Sequence, residues 1–178
     1  MASITDDANV DALLKQMITV SSNEAANGLL SRIGNGDGKA AIATVTATAQ
    51  RYGFTSSEEL RTLTGMASGN AVENWTSTRD CGSFLSQVYA GTLVSKNASE
   101  RMMQLLLGQT RRTKIPAGVP SGVKVANKTG ELAAVQNDVA IVFGTHSYVL
   151  AVMSSDISSA VAPSQITELS RAVWDAAQ

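Results

Sequence analysis

The chain has 178 residues, 44% of them hydrophobic and 16% charged, with a formal net charge of −1. That is enough apolar material for one domain with a sizeable core and too much for a disordered chain. Its basic residues are scattered, so charge offers no case for a nucleic-acid or anionic-membrane partner, and no apolar run approaches the ~20 residues of a bilayer span.

The opening stretch MASITDDANVDALLKQM lacks the basic-then-apolar form of a signal peptide. The protein is thus expected either to be cytoplasmic or to have been separated from an export signal. The single cysteine, Cys81, cannot form an internal disulfide and reads as a small buried helical residue. The single histidine, His146, falls in a turn without Cys or His partners, so no metal site is predicted.

In VDALLKQMITV, apolar side chains at Leu13, Leu14, Met17 and Ile18 predict a helix with one buried face. SSNEAANGLLSRIG predicts a second helix, with a Ser/Asn cap, a face of Ala25, Ala26, Leu29, Leu30 and Ile33, and a stop at Gly34. GKAAIATVTATAQRYG predicts a third that closes at Gly53. In FTSSEELRTL, Ser56 with Glu59 three residues on reads as a capping box. MASGNAVENW is expected to be loop, and TSTRDCGSFLSQVYAGTLVS and NASERMMQLLLGQT to be two further helices, each opened by a polar cap.

Beyond Pro116 the period changes. VKVANKTGEL, NDVAIVFG and YVLAVMSSD are apolar or alternating runs separated by AAVQ and THS, which predicts a three-strand antiparallel meander. SQITELSRAVWDAAQ predicts a closing amphipathic helix with Ile166, Leu169, Val173 and Trp174 toward the sheet. The expected organisation is a single α+β domain over 1–178, with a helical part at 9–115 and a sheet and covering helix at 116–178.

Two motifs carry chemistry: Ser21-Ser22-Asn23 between two helices, and Lys128-Thr129-Gly130 on the first strand. In isolation the first reads as a helix cap and the second as ordinary strand residues facing water. Their order, settings and flanks together resemble the penicillin-recognising serine hydrolases, in particular class A β-lactamases and their lactamase-like relatives. QMITVSSNEAANGLLSRIG resembles that family's Ser-x-Asn junction, ENWTSTRDCGSFLSQVYAGTLVS the helix after its Ω-loop, and IPAGVPSGVKVANKTGELAAVQNDVAIV the surroundings of its Lys-Thr-Gly strand.

The resemblance, which runs from about residue 10 to the C-terminus, implies a β-lactamase/transpeptidase-like fold and an extracytoplasmic setting. By it, Ser21 would relay a proton to the leaving nitrogen, and Asn23 would bond the substrate's side-chain amide and the general-base lysine. Lys128 would set a positive charge beside Ser21 and the substrate carboxylate, which Thr129 would bond directly. Gly130 would let the substrate lie close to the strand, and the Glu131 N–H would supply half of an oxyanion hole. The substrate class is a β-lactam or D-Ala-D-Ala-like carboxylate, small molecule or peptide, with acyl transfer to serine, then hydrolysis. No cofactor is implied.

The family's nucleophile, the serine of a helical Ser-x-x-Lys, is not found: twenty residues precede Ser21 and none form that motif. The one match, Ser121 to Lys124, lies in a turn entering the Lys-Thr-Gly strand, where helical spacing does not apply. The family's Ω-loop carries a Glu, then a Leu three residues later and an Asn after it; the nearest stretch, Ser57-Glu58-Glu59-Leu60-Arg61, has Arg61 in place of the Asn. The chain therefore reads as the C-terminal part of a lactamase-like protein without its N-terminal strands and nucleophile helix, silent by itself. Exposed apolar surface and an open strand edge would favour self-association or strand exchange. The rival readings are a non-catalytic binding module for peptidoglycan peptides or a protein partner, and a scaffold with relic motifs.

Overall fold

A computed structural model describes residues 8–63 and 73–178. The chain divides into two compact units, Met1–Asp80 and Cys81–Gln178. Among the described residues there are six α-helices and one three-stranded sheet.

In the first unit, α1 (Ala8–Thr19) packs on α2 (Asn23–Ile33), and α2 on α3 (Gly38–Arg51). The Ser22 side chain caps α2 by accepting from the Ala25 N–H at 3.1 Å, and α2 buries Ala25, Ala26, Leu29 and Leu30. Ile33, expected on the same face, is 40% exposed. Gly34 ends the helix because nothing larger fits: a Cβ there would lie 1.9 Å from the Asp37 carbonyl oxygen. Asp37 then caps α3 through the Lys39 and Ala40 N–H groups, at 2.9 and 3.2 Å. On α1 the predicted face of Leu13, Leu14, Met17 and Ile18 is only half-buried, and the buried residues are Val10 and Thr19.

The capping box at Ser56 does not form, and residues 57–63 build no helix. Partners distant in sequence take the groups a helix would need. The Ser56 N–H and Ser57 hydroxyl both donate to Asp80, each at 2.8 Å, and the Glu59 N–H donates to the Thr46 hydroxyl at 3.0 Å. Glu58 instead bridges Trp75 as an isolated antiparallel pair. Of the predicted loop at 66–75, positions 66–72 lie outside the described residues.

Helix α4 (Thr78–Ala90) starts at the end of the first unit and continues into the second, where α5 (Lys96–Leu107) follows. Ser77 accepts from the Asp80 N–H and Ser95 from the Ala98 N–H, both at 3.1 Å, so each helix has its polar cap. The sheet has the order β1-β2-β3, all antiparallel: β1 (Val125–Leu132), β2 (Val135–Val142) and β3 (Tyr148–Val152). The β1–β2 hairpin is tighter than predicted, because Val135 and Gln136 join the second strand opposite Leu132 and Glu131.

Helix α6 (Ala162–Ala177) packs on the 3-10 turn Ile115–Gly118 and on β2. Ile166 enters a core with Ile115, Val125, Ala140 and Val142, and Trp174 packs against it. Leu169 does not face the sheet: it is 46% exposed, and Ser170 takes the inward place, its hydroxyl donating 2.8 Å to the Ile115 carbonyl. The reason is space, because Gly118 brings the turn's backbone against the helix at Ser170.

Candidate functional site

The Ser-x-Asn residues belong to the first unit. The chain leaves α1 through Ser21, whose φ of 62° is in the left-handed region that only glycine occupies freely. A serine held there costs on the order of 1 kcal/mol relative to glycine. Ser21 is half-buried, and Asn23 is exposed in the first turn of α2. The intervening Ser22 is the cap, and its hydroxyl also donates to Glu24 at 2.9 Å.

The Lys-Thr-Gly residues lie on β1, an outer strand of the sheet, in the second unit. Lys128 is half-buried and donates to the Thr129 carbonyl. Burial, and next the Arg111 charge, hold its ammonium below the ordinary lysine range, while Asp138 and Glu131 pull the other way. Thr129 is 4% exposed, and its buried Oγ1 has no hydrogen-bond partner among the described residues. It is therefore not a strand residue facing water. A Cβ at Gly130 would meet only Asn137, at 3.6 Å, so the chain's own packing does not require glycine there.

Around this strand lies a set of charges that the linear sequence does not display. Lys114, 1% exposed, donates to Glu131 Oε1 at 3.0 Å and to the Asn137 carbonyl at 3.2 Å, and Arg111 donates to Glu131 Oε2. Burial pushes the Glu131 carboxyl up, but the Lys114 hydrogen bond and the charges of Lys114 and Arg111 outweigh it and leave a net downward shift. Asp138 pairs with Thr129 across the hairpin and is fully buried. It accepts from the Ile115 N–H and from Asn127 Nδ2, each at 3.0 Å. Burial dominates these bonds and raises its pKa to about 6.

Lys114, Arg111, Asn127 and Asp138 were not identified from the sequence. A signal did exist for Asp138: a carboxylate at an inward position of the alternating run Gln136-Asn137-Asp138-Val139-Ala140 is costly unless it is bonded. Among the described residues no three His, Cys, Asp or Glu side chains come together in a way that could hold a metal ion. No helix among them is long and apolar enough to cross a membrane.

Helices followed by a three-stranded antiparallel meander and a covering helix define an α+β fold. The β-lactamase enzyme family model matches residues 3–177, and the chain belongs to that family. No curated protein matches it.

Among solved structures, the β-lactamase of Sphaerobacter thermophilus DSM 20745 superimposes with a TM-score of 0.84 at 24% identity, over 94% of this chain and 62% of its own. PBP-A superimposes with a TM-score of 0.82 at 26% identity, over 94% of this chain and 60% of its own. A PBP-A mutant, solved as its acyl-enzyme complex with penicillin G, gives 0.82 at 25% identity, over 94% and 61%. The fold is β-lactamase-like, and the chain spans less than two thirds of the length of these structures.

Proposed function

We propose that the chain is one β-lactamase-like domain that recognises the carboxylate of a β-lactam or a D-Ala-D-Ala-like peptide within a serine acyl-transfer system. The observation that carries this reading is Thr129. A buried hydroxyl with no partner costs about 1–3 kcal/mol unless a ligand satisfies it, and here it follows Lys128 on an outer strand. Arg111 and Lys114 add two further cations against Glu131 and Asp138, which leaves the cluster net positive. Gly130, which the chain's own packing does not require, leaves room for a ligand against the strand. The roles of Ser21 as proton relay, Asn23 as amide partner and the Glu131 N–H as oxyanion donor belong to the same proposal. The left-handed Ser21 is consistent with a side chain retained for chemistry.

The test is calorimetric titration with penicillin G and with a peptide ending in D-Ala-D-Ala. Thr129→Val and Lys128→Ala should each weaken binding by on the order of tenfold or more, since each removes a charge-assisted contact. Wild-type affinity in both variants would dismiss the reading.

The non-catalytic alternative is favoured by the setting of Ser121 and Lys124. They lie in and just after an exposed turn rather than one helical turn apart on a buried face. On this view a fluorescent penicillin labels no serine of the chain. Covalent labelling would restore a nucleophile to it, with Ser121 the first suspect. The outer edge of β3 further suggests self-association or strand exchange.

A further inference from the structure

The Glu131 carboxylate is divided between two cations. Its Oε1 accepts from Lys114 at 3.0 Å and its Oε2 from Arg111. The two cations differ in kind. Arg111 is half exposed, whereas the Lys114 side chain is 1% exposed and has the Glu131 carboxylate and the Asn137 carbonyl in place of water. Thr129 lies two residues before Glu131 on the same strand, so the two share a face, and its buried hydroxyl has no partner among the described residues. An ammonium and a guanidinium on Glu131, with a hydroxyl two residues before it, are the types of donor that bind a free carboxylate. In this chain two of the three are taken by a carboxylate from the strand itself.

We propose that Lys114 and Arg111 form a carboxylate-binding cradle that Glu131 fills from within, so that Glu131 acts as an internal competitor limiting how external carboxylates bind at β1. This deepens the proposed function and rests on it for the identity of the external ligand. The cradle itself rests only on the geometry. Its occupant is half-exposed at 32% and attached by a short flexible side chain, so it can be removed without rebuilding the strand.

The test is Glu131→Ala, followed by thermal unfolding in sodium formate against sodium chloride at equal ionic strength. The variant should lose stability in chloride, because buried Lys114 loses its direct ion pair and keeps only the Asn137 carbonyl and the charge of nearby Asp138. Formate should then restore it by several degrees in a saturable way, since a ligand that binds only the folded state raises Tm by mass action. The wild type should show no difference between the two salts. If the variant is unfolded in chloride, recovery of folding in formate is the same readout. Glu131→Gln fills the space without a charge and should not be rescued, and neither should the double variant Lys114→Met/Glu131→Ala.

Absence of formate rescue in Glu131→Ala overturns the cradle. Where rescue is seen, Glu131→Ala should also bind penicillin G or the D-Ala-D-Ala peptide more tightly than wild type, on the order of tenfold, with formate competing. Weaker binding would overturn the competitor role. Formate rescue with neither ligand bound by any form would leave the cradle standing and dismiss the proposed function instead.

Discussion

Asp138 shows how one residue's surroundings set its chemistry. It accepts two hydrogen bonds and has Lys114 and Lys128 nearby, all of which favour the carboxylate, yet burial still prevails and its pKa rises to about 6 from an ordinary 3.8. The folded chain therefore holds this proton more tightly than the unfolded chain. The associated stability is fully present below about pH 4 and is lost as pH rises through 6, a difference of about 3 kcal/mol. Asp138→Asn should abolish that dependence, which denaturant unfolding between pH 4 and 7 would measure. The variant should also be less stable at every pH, because its amide N–H₂ must face one of two donors, Asn127 Nδ2 or the Ile115 N–H. An unchanged pH slope would place the proton elsewhere.

Among the elements, local signals succeeded where the partners are local. The α2 cap at Ser22 and its stop at Gly34 depend on groups within a few residues, and the sequence displays them. The capping box at Ser56 failed for the opposite reason: Asp80, Thr46 and Asn74 compete for the same backbone and side-chain groups, and only the fold brings them there. On α6 the face was read correctly except at one position: Ile166 and Trp174 meet the core, but Ser170 rather than Leu169 meets the turn at Gly118. That contact is tight. A Cβ at Gly118 would lie 2.4 Å from the Thr167 carbonyl oxygen and 2.5 Å from Ser170 Cβ. Gly118→Ala should accordingly cost about 1–3 kcal/mol, as overpacking does, and lower Tm by several degrees. A Tm within a degree of wild type would show that α6 can withdraw freely.

Across the whole molecule, the described residues supply one three-stranded sheet, with β1 and β3 as its outer strands. Every residue of β3 is partly exposed, and an apolar outer strand is a template for pairing with another chain. Concentration-dependent association is therefore expected in light scattering. Val149→Lys on β3 should reduce it, since an edge lysine opposes strand addition. A single monomeric species at high concentration would count against this expectation.

The sequence alone determined the α+β order of elements, the alternation that makes the sheet, the caps of α2, and the two motifs with their family resemblance. Each of these is written in near neighbours or in a period that one strand or helix imposes on itself. Tertiary structure decided which side chains lose water. It buried Thr129 without a partner among the described residues and Asp138 with two, and it withdrew Lys114 from solvent against Glu131. Burial and charge proximity arise from elements that the hairpin and the 110–118 segment bring together. Neither has a local period, so the residues that tune the strand were legible only in the folded chain.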